Sequence, residues 1–584
     1  MTVRTFCFGV AILVLVSVPG FACENGAWRC SDDAYTLETC EAGQWRAVEC
    51  MREQGRLCEA GGCVEPWEYG SPEWSRVEDD PYATTESLAE KAENYEEITK
   101  RLHLHPELKW VMGVNLPPMQ VECPAGENPP CYDNGRPAVS LEKATWKDVV
   151  SWRTGENDGL WNALYIAAEG YRYAVTRDPA VLDLIKTLLE SQVLRMEVTG
   201  VSGIYTRQYI PAGYEGISCP ENPSYYRVDA EKTSNKWVKI RDDGCVWTVD
   251  QDSGEWRKSD HCGLERFADW CWLDNVSKDE YAGHVLALGV LSKLVDDPGV
   301  QEVVRDQLSR IAYHLMKNRM AFTDWDGRVA EHGRIYAVTF GDYPGFNAAM
   351  ALDYIKVAAE ATGDPKIEKW YRDCLLQKSG RINCVRQKFE KPLPYTKYLK
   401  NPGLFPGKEG CKANYNNTSM HMCSLQNLIW YEHDPELREI YQAHLDKDVF
   451  RAPGQPRALQ FQNNAWFDFI WAANKKLGPD SDGPAYEAVE NGIRMLRQFP
   501  ARKYLQERDC PEDVCVPYCD NRFGAPCLGF ARETKDRCVH HFLWWGDPYR
   551  IQSCGKRETF VQVPADYLLA YWMGRYFGFI DEDM

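Results

Sequence analysis

Apolar residues recur with helical spacing along most of the chain after residue 146. Four times such a segment ends in a tight turn and a second helical segment follows; the turns are Thr176–Pro179, Val295–Pro298, Thr362–Pro365 and Glu432–Pro435. Aspartate as N-cap followed by proline at the first helical position is the expected start of a helix. A fifth, looser turn spans Leu477–Pro484. The pattern therefore predicts five helical hairpins, over about residues 158–198, 279–318, 343–376, 419–447 and 462–499.

A last helix is predicted over Ala565–Phe577 and has no partner after it. The polar segment Thr84–Leu102 has helix-start signals, so it is one candidate for that partner, and an unseen short helix is another. Five or six hairpins with long loops between them predict an all-α fold, an (α/α)6-type toroid in which the first helix of each hairpin lines the inside. The alternative is an open helical solenoid. Its repeats are usually short and regular, which favours the toroid here.

The N-terminus predicts secretion. Arg4 precedes the apolar run Phe6–Val18, and a small-residue cleavage site ends at Ala22. That run is too short to span a bilayer, and no later segment is long and apolar enough to do so. Removing the signal leaves 22 of the 23 cysteines, an even number that favours full disulfide pairing in an oxidising compartment. A lipid anchor at Cys23 is the alternative, although Gly20-Phe21-Ala22 is a poor lipobox.

We predict a signal peptide at 1–22, a cysteine-rich disulfide module at 23–66, a linker with a polar helix at 67–105, and the toroid at 106–584. Six cysteines between Cys23 and Cys63 would hold together a segment too short to build a core. Further disulfide candidates lie in the long loops between hairpins: Cys219, Cys245, Cys262, Cys271, Cys374 with Cys384, and Cys411 with Cys423.

The formal net charge is −19, which argues against nucleic acid and anionic membrane surfaces as partners. It does not exclude a local basic pocket for an acidic ligand. We predict no metal and no cofactor, because no ligand pattern is complete: Asp324-Trp325-Asp326-Gly327 begins like a calcium loop but lacks the remaining ligands.

The toroid prediction places the candidate chemistry at one end. If the Asp-Pro turns share one end of the ring, the starts of the inner helices and the long loops gather at the other, where function usually concentrates. Candidate catalytic residues there are Asp158, Asp279, Glu280, His284, Asp324 and His332. Candidate substrate-binding residues are Trp161, Arg207, Arg334, Asn347, Asn417, His421, Asn464, His540 and Trp544. Aromatic rings beside carboxylates and amides are typical of sites that bind and cleave sugars.

In this hypothesis Glu280 or Asp279 is the general acid. A second carboxylate acts as base or nucleophile, with Asp158, Asp324, Asp326 and Glu331 as candidates. His284 and His332 would orient hydroxyls or a carboxylate, and Arg207 and Arg334 would clamp an acidic group of the sugar. Each residue also has a purely structural interpretation: Asp158 can cap its helix, Asp324–Gly327 can form a simple turn, and His540 can belong to the core.

The segment Ser277–His284, the Asp-Asp-Pro hairpin after it, and Asp324–Gly327 with His332-Gly333-Arg334 resemble secreted bacterial proteins of the six-hairpin glycosidase-like superfamily. The resemblance covers roughly residues 150–480. It implies a toroid with its cleft at the loop-rich end, in a group that includes glycoside hydrolases, unsaturated glucuronyl hydrolases and polysaccharide lyases. No catalytic residue is carried over, because fold alone does not transfer function.

The expected function is a secreted enzyme acting on a carbohydrate or polysaccharide, most simply a glycoside hydrolase. A polysaccharide lyase is the first alternative, with His284, His332 or Tyr336 as base. A carbohydrate-binding or adhesion protein without catalysis is the second.

Overall fold

The structure is a computed structural model. It describes residues 27–30, 36–42, 44–49, 57–59, 62–64, 86–214, 216–228, 235–337, 344–376, 384, 393–400, 410–453, 455, 457–474, 483–512, 514–538, 542–582 and 584. The predicted signal peptide and His540 lie outside these residues. About half of the predicted cysteine-rich module does as well, and Cys40 within the described part is disulfide-bonded.

Twelve helices of the described residues form six hairpins. Their bounds are Leu88–Ile98 (α1), Asp158–Thr176 (α2), Pro179–Glu197 (α3), Lys278–Leu294 (α4), Pro298–Lys317 (α5), Pro344–Thr362 (α6), Pro365–Trp370 (α7), Tyr415–Tyr431 (α8), Pro435–His444 (α9), Ala465–Asn474 (α10), Gly483–Arg497 (α11) and Ala565–Tyr576 (α12). Helical turns extend three of them, at Thr99–His103, Tyr371–Leu376 and Leu445–Phe450, and a short separate turn covers Tyr395–Tyr398.

The even-numbered helices form a closed inner ring. Helix α2 packs between α12 and α4, α6 packs against α4 and α8, and α10 packs between α8 and α12. Helices α2 and α4 approach so closely that a Cβ on Gly283 would lie 2.6 Å from the Leu160 side chain. Between α4 and α8, Asn427 Nδ2 donates to the Val285 carbonyl at 3.0 Å. The predicted toroid is confirmed.

The N-terminal helix completes the sixth hairpin. The Tyr567 hydroxyl of α12 donates to the Leu88 carbonyl of α1 at 2.7 Å, and Trp572 Nε1 donates to the Glu96 carboxylate at 3.1 Å. The two ends of the domain therefore pack together. Of the two candidates for the partner of the last helix, the segment predicted at Thr84–Leu102 provides it.

The Asp-Pro turns are helix starts, as predicted. The side chains of Asp178, Asp297, Asp364 and Asp434 each accept a backbone N–H of the first turn of the helix that follows. The outer helices bury one stripe only. In α5 this stripe is Val300, Val304, Leu308, Ile311 and Leu315, at the spacing of an amphipathic helix. The inner helices are buried on nearly every side, which explains their almost continuous apolar sequences.

Short strands occur in the loops between helices and in the region before α1. A six-stranded sheet between α3 and α4 contains Gln208–Ile210, Arg227–Val228, Trp237–Ile240, Val246–Asp250, Trp256–Lys258 and Cys271–Leu273. A four-stranded sheet joins Gly113–Asn115, Ser151–Arg153, Tyr504–Leu505 and Arg557–Val561. Strand pairs are Pro118–Val121 with Cys131–Pro137, Ala321–Thr323 with Val329–Arg334, Cys519–Asp520 with Pro526–Cys527, and Leu57–Glu59 with Gly62–Val64. A further three-stranded sheet contains Trp28–Cys30, Thr36–Glu41 and Gln44–Glu49.

Seven disulfide bonds are present among the described residues: Cys123–Cys131, Cys219–Cys271, Cys245–Cys262, Cys374–Cys384, Cys411–Cys519, Cys510–Cys515 and Cys538–Cys554. They indicate an oxidising, extracellular type of compartment. The predicted pair of Cys411 with Cys423 is wrong, and so is full pairing, because Cys423 and Cys527 are buried and free. Cys423 lies inside inner helix α8, whereas Cys411 lies in the loop before it.

Candidate active site

A cavity of about 740 Å³ lies where three inner helices begin. Its walls come from the first residues of α4 and α8, from Phe346 near the start of α6, from His332, and from the loop region 521–552. The Asp-Pro turns follow the opposite ends of these inner helices. The cavity therefore occupies the loop-rich end at which the sequence placed its candidate residues.

Asp279 is the carboxylate that the inner ring presents to this cavity. It is the second residue of α4 and is partly exposed. Asn416, at the start of α8, donates from Nδ2 to Asp279 Oδ2 at 2.6 Å. The position in the first helical turn favours negative charge, because the backbone N–H groups there point toward it. Asp279 is thus a fixed carboxylate with access to a ligand.

Phe542 and Trp545 form an aromatic wall, and Phe346, Tyr415 and Phe523 also line the cavity. Trp161 packs behind both, with its ring centroid 5.2 Å from Phe542 and 5.4 Å from Trp545. At the rim, Phe523 exposes 82% of its surface, an unusual state for a large apolar side chain. Aromatic faces in such positions suit the apolar faces of sugar rings.

Asparagines provide much of the polar wall. Asn414, Asn416, Asn417 and Asn521 all line the cavity. Asn417, a predicted binding residue, is thus part of the cavity lining, and its Oδ1 accepts from Asn414 Nδ2 at 3.0 Å. Side-chain amides can both donate to and accept from sugar hydroxyls, so this wall suits a polyhydroxylated ligand.

The cavity also has a cationic wall. Its described lining contains five cationic side chains, Lys278, Arg522, Arg532, Arg537 and Arg550, against two carboxylates, Asp279 and Asp547. This balance is the reverse of the whole chain, which carries a net charge of −19. Burial lowers the pKa of Arg537 to about 9 and that of Arg532 to about 10, so both remain protonated at neutral pH.

Glu280 and His284 do not line the cavity; both are completely buried beside it, between α2 and α4. Glu280 Oε2 accepts the Leu160 N–H at 2.9 Å and lies 3.7 Å from His284 Nε2. His284 Nδ1 bonds Gln192 Nε2 at 2.7 Å. Burial raises the pKa of Glu280 to about 8 and lowers that of His284 well below its usual value. At neutral pH the two are thus an uncharged pair.

Asp158 is also buried and outside the cavity lining. It is the first residue of α2, and its Oδ2 accepts the Gly155 N–H at 2.8 Å, which ties the preceding loop to the helix. Burial raises the pKa of Asp158 to about 7. Asp158 is therefore not the cap of α2, because the N-cap position belongs to Asn157; its carboxylate instead fastens the loop at Gly155.

Asp324 holds a turn together rather than facing the cavity. Its Oδ2 accepts the Asn275 N–H at 2.6 Å, and Oδ1 accepts the Trp325 N–H at 2.8 Å. Burial, and then the negative charge of Asp274, raise the pKa of Asp324 to about 7. Asp274 is itself paired with Lys236 at 2.9 Å. Asp326 pairs with Arg328, and Glu331 is exposed outside the lining.

The two predicted arginine clamps also lie elsewhere. The Arg207 guanidinium donates to the carbonyls of Asn275 and Glu156 at 2.9 and 2.8 Å, so it fastens two loops. Arg334 is exposed and does not line the cavity, although its carbonyl accepts from Lys278 Nζ at 3.4 Å. The cationic groups of the cavity come instead from the C-terminal loop region and Lys278.

Four other predicted binding residues support the cavity from behind. Asn347 Oδ1 accepts from Lys278 Nζ at 3.0 Å, and Asn464 Nδ2 donates to the Trp544 carbonyl at 3.0 Å. His421 Nε2 bonds His444 Nε2 at 2.8 Å, and burial lowers the pKa of His421 well below its usual value. Trp544 Nε1 donates to the Asp566 carbonyl at 2.7 Å. All four are buried, and it is the neighbour Trp545 that reaches the cavity.

Sequence reasoning missed Phe523, Arg522, Arg532, Arg537, Asp547 and Arg550 as cavity residues. The available signal was the cysteine group from Cys510 to Cys554, which marks a tethered functional loop region. Within the part of the chain that the structure describes, no group of three or more His, Cys, Asp or Glu is arranged to hold a metal. No helix there is both long and apolar enough to cross a bilayer.

The sequence matches no known protein family, and no curated protein is significantly similar to it. Several solved structures align with it, including these three. One is an α-1,6-mannanase, GH76A of Salegentibacter sp. HEL1_6, with α-1,6-mannotetrose, which has 12% identity and a TM-score of 0.35, with 85% of this chain and 100% of that one covered. The second is the cellulase Cel9M of C. cellulolyticum, which has 11% identity and a TM-score of 0.35, with 85% of this chain and 100% of that one covered. The third is a metagenome-derived glycoside hydrolase family 9 endoglucanase, which has 10% identity and a TM-score of 0.35, with 89% of this chain and 82% of that one covered. Similarity this low carries no argument about chemistry, so the function below is argued from the cavity itself.

Proposed function

We propose that the protein is a secreted glycan-active enzyme, most simply a glycoside hydrolase. The observation that carries this proposal is the composition of the cavity: it combines two carboxylates, Asp279 and Asp547, with four asparagines and the rings of Phe542 and Trp545. Two carboxyl groups facing one cavity are what glycosidic bond hydrolysis needs, one to protonate the leaving oxygen and one to activate water or attack the sugar.

Asp279 is proposed as one of the two carboxylates because the helix start and Asn416 fix its position while it remains accessible. Asp547 is proposed as the second. Its Oδ1 accepts the Tyr549 N–H at 2.9 Å, and its Oδ2 accepts from the Cys527 thiol at 3.4 Å. Among the four candidates for the second carboxylate named in the sequence analysis, none lines the cavity. Glu280 is buried, and we assign it a structural role, because its carboxyl group accepts the Leu160 N–H of α2.

The cationic wall favours a substrate that carries acidic groups. Five cationic side chains around two carboxylates leave the described cavity lining with an excess of positive charge in a strongly negative chain. Guanidinium groups bind carboxylates and sulfates with two parallel hydrogen bonds. We therefore propose an acidic polysaccharide as substrate.

A polysaccharide lyase is the second candidate, and one observation favours it: His332 lines the same cavity and is exposed there, so it is available as a base. A lyase would release an unsaturated product that absorbs in the ultraviolet, whereas a hydrolase would release a new reducing end without that absorption. A binding protein without catalysis would release neither.

The test is turnover by the Asp279→Asn and Asp547→Asn variants on acidic and neutral polysaccharides. We expect each substitution to lower kcat at least about 100-fold while leaving glycan binding in place, because removal of a proton-transfer group typically costs 10²–10⁴-fold. Asp296→Asn is the matched control, since Asp296 is exposed at the opposite end of the ring and should leave turnover unchanged. Full activity in both cavity variants would refute the assignment of the carboxylates.

A further inference from the structure

We propose that Arg537 and Trp545 form an anion subsite that binds a carboxylate or sulfate group of the glycan. This subsite rests on the proposed function, and it gives that function a specific recognition element. Both residues come from the cysteine-tethered C-terminal region, and both line the cavity that contains Asp279.

Arg537 lines the cavity and has one guanidinium nitrogen without a hydrogen-bond acceptor among the described residues. Only 4% of the residue is exposed. Its Nη2 donates to the carbonyls of Leu543 and Gly546 at 3.1 and 3.4 Å, which fixes the guanidinium plane. Its Nη1 is buried and has no acceptor among the described residues. A buried guanidinium N–H without an acceptor is unfavourable, and an anionic ligand would supply what is missing.

Trp545 supplies a second unused donor. Its indole Nε1 is buried and also has no acceptor among the described residues. The ring is held edge-on by Trp161, with the two centroids 5.4 Å apart and the planes at 82°. The indole N–H can only donate, so it is suited to an oxygen acceptor and not to a cation.

The protein's own carboxylates do not occupy these donors. Asp547 lies in the same cavity, but its oxygens accept from the Tyr549 N–H and the Cys527 thiol. Asp279, at the start of α4, accepts from Asn416. Arg522 and Arg550 are exposed and line the same cavity, where their charge attracts anions toward the opening.

These features predict discrimination between acidic and neutral forms of one glycan. A hydroxyl in the subsite would accept the two N–H groups but would add no negative charge beside the buried guanidinium. A carboxylate or sulfate would satisfy both donors and the charge. Hydrogen bonds to charged groups are worth enough to give about 10- to 100-fold selectivity.

The experiment is a glycan microarray probed with the full chain carrying Asp279→Asn, which slows turnover. Each polysaccharide is printed in its native form, after chemical reduction of its carboxylates, and after desulfation. We expect binding to native acidic glycans and a 10- to 100-fold loss after the modification that removes the recognised group. Sensitivity to carboxyl reduction identifies a carboxylate ligand, and sensitivity to desulfation identifies a sulfate.

Two substitutions, made in the same background, link the selectivity to the subsite. Trp545→Phe keeps an aromatic ring beside Trp161 and removes the indole N–H together with part of the ring. Because Trp545 is only partly buried, the protein should fold normally and bind acidic glycans about 5-fold less tightly. Arg537→Gln should remove the selectivity itself. Trp247→Phe is the control, because its indole donates to Asp243 away from the cavity. Binding to the neutral forms should be unchanged in all three.

The outcomes separate the two proposals. Equal binding of acidic and neutral forms, or an equal loss for both in Trp545→Phe, would overturn the subsite and leave a glycan-active protein. Absence of binding to every printed glycan would overturn the subsite and the proposed function together.

Discussion

The buried carboxyl group of Glu280 makes stability depend on pH in a way that one substitution can isolate. Its pKa in the folded protein is about 8, raised by burial from an ordinary value of 4.5. The folded protein thus holds this proton more tightly than the unfolded chain does. The resulting stabilisation is fully present below pH 4.5 and is lost as the pH rises through 8. Glu280→Gln keeps the shape of the protonated acid and removes the titration.

The magnitude follows from the two pKa values. Each pH unit between them costs the wild type about 1.4 kcal/mol of unfolding free energy. From pH 4.5 to pH 7 is 2.5 units, so the wild type loses about 3 kcal/mol that the variant retains. The difference between variant and wild type should therefore grow in favour of the variant by about that amount over this interval. Gln keeps an oxygen to accept the Leu160 N–H, so this hydrogen bond survives the change.

The assay is urea unfolding of both proteins at several pH values, read as the difference between them so that the other titrating groups cancel. Glu331→Gln is the matched control, because Glu331 is exposed and its variant should differ from the wild type by the same amount at every pH. A constant difference between Glu280→Gln and wild type from pH 4.5 to 7 would refute the claim that Glu280 is a buried neutral acid.

Two further predictions concern packing and the rim. Gly159→Ala should destabilise the protein by about 1–3 kcal/mol in the same unfolding assay, because the added Cβ would lie 2.2 Å from Glu280 Oε2. Gly555→Ala is the control and should cost much less, because an added Cβ there has no neighbour within 4 Å. Equal losses of stability in the two variants would contradict the close packing at Gly159. Phe523→Ala should weaken glycan binding by about 1 kcal/mol in calorimetry without changing Tm, because the ring is exposed at the cavity. Tyr225→Ala is the control and should bind normally, because Tyr225 is also exposed but does not line the cavity. Unchanged binding in Phe523→Ala would exclude a role for that ring.

The ring was predictable because its signals are local. An aspartate cap followed by proline fixes a helix start from neighbouring atoms alone, so Asp178, Asp297, Asp364 and Asp434 marked the hairpins correctly. Helix α1, which completes the sixth hairpin, also has its own capping signal, since Ser87 and Glu90 form a capping box.

The site was only partly predictable, because its details depend on which way adjacent residues face. Asp279 and Glu280 follow one another on α4, and successive helical residues point about 100° apart. Asp279 therefore reaches the cavity while Glu280 turns toward α2, a choice made by the neighbouring helices and not by the two residues.

The cationic wall depends on contacts that are distant in sequence. Arg537 lines the same cavity as the start of α4, although most of the helices of the ring lie between the two in the sequence. The same applies to the disulfide partner of Cys411, since Cys519 is 108 residues away while Cys423 is a near neighbour in sequence. Spacing alone could not choose between them.

The most direct test of the account is a crystal structure of the Asp279→Asn variant with an acidic oligosaccharide that the wild type degrades. We predict the sugar chain in the cavity between residue 279 and Asp547, with an acidic group on Arg537 Nη1. A sugar chain bound outside this cavity would contradict the claim that the loop-rich end of the ring is the active site.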